Sequence, residues 1–202
     1  MADRKVFGIG FQKTGTTSLG QIFKRLGYKT AGYHDFRAMA GRDHLDWAEV
    51  EAHAMKIAAE ADAAKDTPWP LLYRELDAAF PGAKFIHVVR DTDAWLRSAT
   101  KDFQAHPNAN PRLIYGSDGP LGDDATWRAR YDRHNVEVAE YFANRPDDYL
   151  QIRLEDGVTF EKVCPFLGED LVGTGAPVAN TYARKRVKTF WRKLATRLGR
   201  GV

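Results

Sequence analysis

The sequence predicts an α/β protein of three layers, with helices on both faces of a central, mainly parallel sheet. Short apolar runs alternate along the chain with longer segments of helical periodicity. The run 84–89 is nearly continuous in apolar and β-branched residues, which is typical of a strand buried on both faces of a parallel sheet. With 202 residues, we expect one domain over 1–202, in which 184–202 form a basic C-terminal helix or tail.

The elements follow in a regular order. The predicted strands are 5–10, which runs into a glycine turn, then 28–32, 84–89 and 149–154. The predicted helices are 16–26, ended by a C-cap glycine at Gly27, then 46–64, 71–80, 91–103, 125–143 and 158–167. Residues 105–124 collect Pro, Asn, Gly and Asp, which predicts a long surface loop.

Composition and charge exclude several classes of protein. No apolar run approaches the ~20 residues that span a bilayer, and the N-terminus lacks the features of a signal peptide. The single cysteine, Cys164, fits a reducing compartment, so we expect a cytoplasmic protein. Eight of the 30 basic residues lie from Arg184 onward, where no acidic residue occurs, and the rest of the chain is acidic on balance. A nucleic-acid partner is therefore not expected.

Residues 10–18 follow a strand and open a helix, the context in which main-chain N–H groups and the helix dipole hold a phosphate. A dinucleotide-binding fingerprint fails because Lys13 stands where its third glycine belongs. The nucleoside-triphosphate loop matches at Gly10, Gly15 and Thr17, but Thr16 replaces its lysine. The lysine stands three residues earlier, at Lys13, where it suits one phosphate and its leaving group better than a triphosphate–magnesium complex.

The run from Lys13 to Leu19 resembles the 5′-phosphosulfate loop of sulfotransferases that use 3′-phosphoadenosine 5′-phosphosulfate (PAPS) and release the bisphosphate PAP. The resemblance implies a fold like that of P-loop nucleoside triphosphate hydrolases and a reaction without a metal. It also implies that Lys13 stabilises charge on the leaving phosphate. The residues implied to bind the 5′-phosphate are Lys13, Thr14, Gly15, Thr16, Thr17 and Ser18.

A second pair of residues resembles the 3′-phosphate site of the same enzymes, in which an arginine ends a buried strand and a serine follows eight residues later. Arg90 and Ser98 have this spacing here. Related enzymes close a basic loop near the C-terminus over the 3′-phosphate, which implies the same contact for Arg184 and Lys185. The aromatic residue that stacks on adenine in cytosolic members is absent, and Ser18 stands in its place.

The general base has two candidates. Asp66 precedes Thr-Pro-Trp-Pro in the region where related enzymes place a His or Glu, with a turn or N-cap role as its alternative. His34 is the second candidate, and its alternative is a surface-loop histidine without a catalytic role. His87 lies within a buried strand and is expected to be a hydrogen-bonded core residue.

The acceptor of the implied sulfuryl transfer is a hydroxyl or amine of a small molecule, lipid or glycan. The tail has an apolar stripe at helical spacing, which is typical of a helix that docks on the domain or makes peripheral contact with anionic lipid. The resemblance implies a third possibility, in which the tail closes over the donor. Two other functions stay open at this point: a P-loop small-molecule kinase, and a nucleotide-binding protein without catalysis.

Overall fold

In the part of the chain that the structure describes, five parallel strands form one sheet. The computed structural model describes residues 5–40, 45–105 and 110–177, and the predicted tail with Arg184 and Lys185 lies outside these ranges. The strands are β1 (Val6–Gly8), β2 (Thr30–Ala31), β3 (Ala63–Lys65), β4 (Lys84–Val89) and β5 (Tyr149–Arg153). They lie in the sheet in the order β2-β3-β1-β4-β5. Because the chain crosses from one side of β1 to the other between β3 and β4, the carboxyl end of β1 lies at the switch point where such sheets bind ligands.

Helices pack on both faces of this sheet, so the predicted three-layer α/β architecture is confirmed. The helices are α1 (Thr16–Arg25), α2 (Tyr33–Ala40), α3 (Trp47–Glu60), α4 (Tyr73–Ala79), α5 (Thr92–Ala105), α6 (Asn110–Tyr115), α7 (Asp124–Tyr141) and α8 (Phe160–Leu167). Single 3₁₀ turns cover Trp69–Leu72 and Leu154–Asp156.

Three apolar clusters fill the interior. The first packs Phe7 and Phe85 of the sheet against α3, α4 and α7, and the second packs Ile86 against α1 and α8 on the opposite face. The third is an aromatic cluster where α5, α6 and α7 meet the segment after β1. We call it the loop cluster, and its buried aromatic residues are Phe11, Trp95, Tyr115, Trp127 and Tyr131.

Two predicted boundaries are wrong. Helix α3 ends at Glu60, and part of the predicted helix 46–64 is strand β3. Ala63 and Ala64 are fully buried between β1 and β2, where pairing on both sides overrides the helix propensity of alanine. The predicted loop 105–124 contains helix α6, because Ile114 and Tyr115 are buried against the loop cluster. Helix α2 is a further element that the periodicity did not predict.

Candidate active site

The segment between β1 and α1 passes so close to β4 that Gly10 has no room for a side chain. A Cβ added at Gly10 would lie 2.3 Å from the main-chain oxygen of Val88. The buried Thr14 hydroxyl donates to the main-chain oxygen of Phe11 at 2.6 Å and closes the turn from inside. These contacts fix a tight loop at the carboxyl end of the central strand.

The second half of this loop leads directly into α1. Lys13 and Gly15 adopt left-handed backbone conformations, with φ of 71° and 103°, and the helix begins at Thr16. Among the described residues, no side-chain hydrogen bond caps α1 at Gly15. Since the first main-chain N–H groups of a helix lack intrahelical acceptors, this end of α1 is suited to bind an anion such as a phosphate.

Two cationic residues of the predicted donor site meet at the loop. Arg90, which directly follows β4, donates from Nη1 to the main-chain oxygen of Lys13 at 3.3 Å. The Nζ of Lys13 lies 3.2 Å from Oδ1 of Asp102 on α5. Ser98 is half-buried one turn earlier on that helix, so it shares a face with Asp102. The sequence reasoning missed Asp102, although its spacing of four from Ser98 was a usable signal.

The loop cluster holds the main chain of both segments. Tyr131 on α7 accepts from the Arg90 N–H at 2.9 Å and donates to the Arg90 carbonyl at 3.0 Å. Its ring stacks on Trp95 with centroids 4.1 Å apart, and Trp95 Nε1 donates to the carbonyl of Gln12 at 3.0 Å. Burial raises the pKa of Tyr131, so the hydroxyl keeps the proton that it donates. Nothing in the sequence pattern indicated that Tyr131 and Trp95 contact these two segments.

Asp66 lies directly after β3, on the loop side of the sheet. Its Oδ1 accepts from the N–H of Thr67 at 2.9 Å, and its Oδ2 accepts from the Thr16 hydroxyl at 3.2 Å. The residue has a positive φ of 74°, a conformation that aspartate tolerates better than most side chains. A half-buried carboxylate therefore contacts the first residue of α1.

The second base candidate lies apart from this group. His34 is exposed on the first turn of α2, which follows a turn closed by the Gly32 N–H donating to Oδ2 of Asp35 at 2.8 Å. Within the described ranges, no hydrogen bond joins His34 to the loop. The structure thus brings Asp66, and not His34, to the start of α1.

Two other histidines are core residues. His87 is fully buried and contacts the Tyr149 hydroxyl at 2.8 Å and Oδ1 of Asn135 at 3.0 Å, which confirms the expectation for this residue. His134 contacts the carbonyl of Ile9 at 2.9 Å. Burial lowers the pKa of His87 to about 4 and that of His134 to about 3, so both are neutral near pH 7.

The parallel sheet and the glycine loop between β1 and α1 define a P-loop-like α/β protein. The sequence model of the sulfotransferase domain family matches residues 5–122 and 108–184. The chain therefore belongs to the sulfotransferase domain family. No relative was found among the curated protein sequences.

Two solved structures share the fold. A sulfotransferase from Alicyclobacillus acidocaldarius superposes with a TM-score of 0.55 at 15% identity, over 96% of this chain and 93% of that one. The mouse sulfotransferase SULT7A1, complexed with PAP, gives a TM-score of 0.50 at 14% identity, over 94% of this chain and 64% of the mouse chain. In the part of the chain that the structure describes, no helix has the length and apolarity to cross a bilayer.

Proposed function

We propose that this protein transfers the sulfuryl group of PAPS to a hydroxyl or amine of an acceptor. The observation that carries the proposal is the hydrogen bond from Arg90 Nη1 to the carbonyl of Lys13. Through it, cationic residues from two distant segments share one site at the carboxyl ends of β1 and β4, as a donor with two separate phosphate groups requires. Membership of the sulfotransferase family supports the same reaction.

The loop fits the 5′-phosphate of such a donor. Gly10 keeps the main chain against β4, and the uncapped start of α1 offers N–H groups from Gly15 to Ser18 with the hydroxyls of Thr16 and Thr17. PAPS supplies the sulfuryl group and leaves as PAP. Arg90 and the half-buried Ser98 hydroxyl bind the 3′-phosphate. Arg184 and Lys185, outside the described residues, stay predicted contacts to this phosphate.

Lys13 acts on the leaving group. Its ammonium binds the 5′-phosphate and neutralises the charge that develops on the bridging oxygen as the sulfur–oxygen bond breaks. The contact with Asp102 holds this ammonium at the loop, on the side of α5 that carries Ser98. The left-handed conformation of Lys13 belongs to the same arrangement, because it turns the chain toward α1.

Asp66 acts on the acceptor. Its carboxylate takes the proton of the acceptor hydroxyl or amine while the new sulfur–oxygen or sulfur–nitrogen bond forms. General-base assistance of this kind contributes about 10²- to 10⁴-fold to the rate. The hydrogen bond from Thr16 to Oδ2, which holds the carboxylate at the N-terminal end of α1, supports this role. His34, exposed on α2, is the alternative base.

Calorimetry tests the donor site directly. PAP and ATP–magnesium are each titrated into the wild-type protein, Arg90→Gln and Arg97→Gln. Arg97 is a matched control because it is an exposed arginine on α5. We expect the wild type and Arg97→Gln to bind PAP without a metal, and Arg90→Gln to bind it at least tenfold more weakly.

Binding of ATP–magnesium without binding of PAP would overturn the proposal in favour of a P-loop kinase. Binding of PAP without any transfer from ³⁵S-labelled PAPS to a broad panel of phenols, alcohols, amines, lipids and glycans would favour a nucleotide-binding protein without catalysis.

A further inference from the structure

A half-buried guanidinium lies beside the loop and has no polar partner among the residues that the structure describes. Arg130 on α7 has its guanidinium carbon 5.3 Å from the centroid of the Phe11 ring. Among the described residues, no hydrogen bond or ion pair holds this side chain. Burial lowers the pKa of Arg130, but an arginine stays charged at any physiological pH. Its N–H donors have no protein acceptor within the described ranges, and partial burial leaves them less well hydrated than at the surface, so an anionic ligand would be favoured there.

A second buried group, the amide of Gln12, has one atom without a hydrogen-bond partner in the described part of the chain. Gln12 is only 9% exposed, and its Nε2 contacts the Tyr115 hydroxyl, while its Oε1 has no hydrogen-bond partner. With the amide turned over, Oε1 accepts from the Tyr115 hydroxyl and Nε2 becomes the unpaired donor, and this is the orientation that suits an anionic ligand. Gln12 lies between Phe11, whose ring carries Arg130, and Lys13 of the donor loop. The Phe11 and Tyr115 rings contact each other edge to face with centroids 5.9 Å apart, so both unpaired groups lie along the segment that precedes Lys13.

Tyr115 lies within electrostatic range of Arg130 and of Asp66, the proposed base. Burial raises the pKa of Tyr115 well above its usual value, the contact with Gln12 and the charge of Arg130 oppose this, and the Asp66 carboxylate adds to it. The hydroxyl is therefore protonated and lies within the electrostatic range of both the cation and the carboxylate. Glu137, two turns further along α7, acts on Arg130 at longer range and forms no ion pair with it in the described part of the chain.

We infer that Arg130, Gln12 and Tyr115 form an acceptor subsite for an anionic group, so that the acceptor carries a carboxylate or phosphate besides its reacting hydroxyl or amine. This inference rests on the proposed function. The donor phosphates are matched by the start of α1, Lys13 and Arg90, so the charge of Arg130 is not needed for them. A guanidinium binds carboxylate or phosphate oxygens through two parallel hydrogen bonds.

The test uses the protein saturated with PAP, so that the donor phosphate sites are filled. Benzoate and inorganic phosphate are titrated against it, with benzamide as the neutral probe, and millimolar binding is followed through the arginine Nε–H signals in nuclear magnetic resonance. The variants are Arg130→Gln and, as a matched control, Arg133→Gln, which changes an exposed arginine on the same helix. Initial rates with 4-hydroxybenzoate and its methyl ester give a second readout.

We expect the wild type and Arg133→Gln to bind benzoate or phosphate but not benzamide. Arg130→Gln should bind the anions at least tenfold more weakly with an unchanged Kd for PAP. Equal anion binding by Arg130→Gln, or none by the wild type, would overturn the inference while PAP binding keeps the proposed function intact. Failure to bind PAP would instead refute the proposed function, and the inference with it. The titration tests the anionic subsite even if neither 4-hydroxybenzoate nor its methyl ester is sulfated.

Discussion

Removing one hydroxyl on α7 tests whether the loop cluster positions the donor site. Tyr131→Phe keeps the ring that stacks on Trp95 but deletes the oxygen that accepts from the Arg90 N–H and donates to the Arg90 carbonyl. A buried main-chain group that loses its partner costs about 1–3 kcal/mol. Because Arg90 is half-buried and water reaches part of it, we expect the free energy of unfolding to fall by about 2 kcal/mol in total.

The same change should weaken the donor site. Arg90 loses both main-chain anchors on the α7 side and keeps the contact from Nη1 to Lys13. We expect the Kd for PAP to rise about 3- to 10-fold, where tenfold corresponds to about 1.4 kcal/mol. Urea unfolding gives the stability, with an unchanged m value as a check on the transition, and calorimetry gives the Kd.

A matched control lies on the same helix. Tyr141→Phe deletes a hydroxyl that donates to Asp77 at 2.8 Å, within the helix face that packs on α4. This variant should lower stability and leave the Kd for PAP unchanged. If Tyr131→Phe is destabilised to the expected extent but binds PAP as the wild type does, Tyr131 serves the fold alone and the positioning argument is refuted.

Four further predictions concern the loop, the base, the cation and the core. Gly10→Ala should abolish PAP binding in a protein that still unfolds cooperatively, since its Cβ meets a main-chain oxygen of β4, and unchanged binding in calorimetry would contradict the loop geometry. Asp66→Asn should lower kcat about 10²-fold or more with little change in the Kd for PAP, whereas an unchanged kcat in the ³⁵S assay would move the base elsewhere. Asp102→Asn removes the carboxylate that contacts the Lys13 ammonium, so kcat should fall severalfold while the KM for the acceptor stays unchanged, and steady-state rates measure both. Because burial holds the pKa of His134 at about 3, its neutral form stabilises the fold above about pH 6.5, and stability should fall by up to about 1.4 kcal/mol per pH unit as the pH drops toward 4. His134→Gln should remove this contribution and leave that of His87, whose pKa is about 4, so the slope in urea titrations at pH 7, 6 and 5 should fall to roughly half.

The loop was predictable because its chemistry is local. Strand, glycine turn, lysine, hydroxyls and helix follow one another within residues 6–25, and the structure forms the strand, the turn and the helix in that order. Strand β4 was predicted to the residue for a similar reason, since a run buried on both faces needs apolar side chains throughout.

The partners of the loop were not predictable because their contacts are distant in sequence. Tyr131 meets Arg90 across 41 residues, and nothing near Tyr131 distinguishes it from other tyrosines of an amphipathic helix. Strand β3 was missed for the opposite reason: its alanines favour a helix locally, and only pairing with β1 and β2 makes them a strand. Helix α6 was missed because its turn-forming neighbours outweighed its few apolar residues in the sequence pattern.

Backbone strain and the proposed chemistry coincide in this fold. Among the residues that the structure describes, Lys13 and Asp66 are the non-glycine residues with positive φ, and each such conformation costs on the order of 1–3 kcal/mol. These are the two residues proposed to stabilise the leaving oxygen and to take the acceptor proton. The hydrogen bond from Arg90 and the stacked rings of Trp95 and Tyr131 offset the strain at the loop. A site held in this way before ligands bind needs little reorganisation in the transition state. We therefore expect variants that loosen the loop cluster to lose turnover at temperatures well below those at which they unfold.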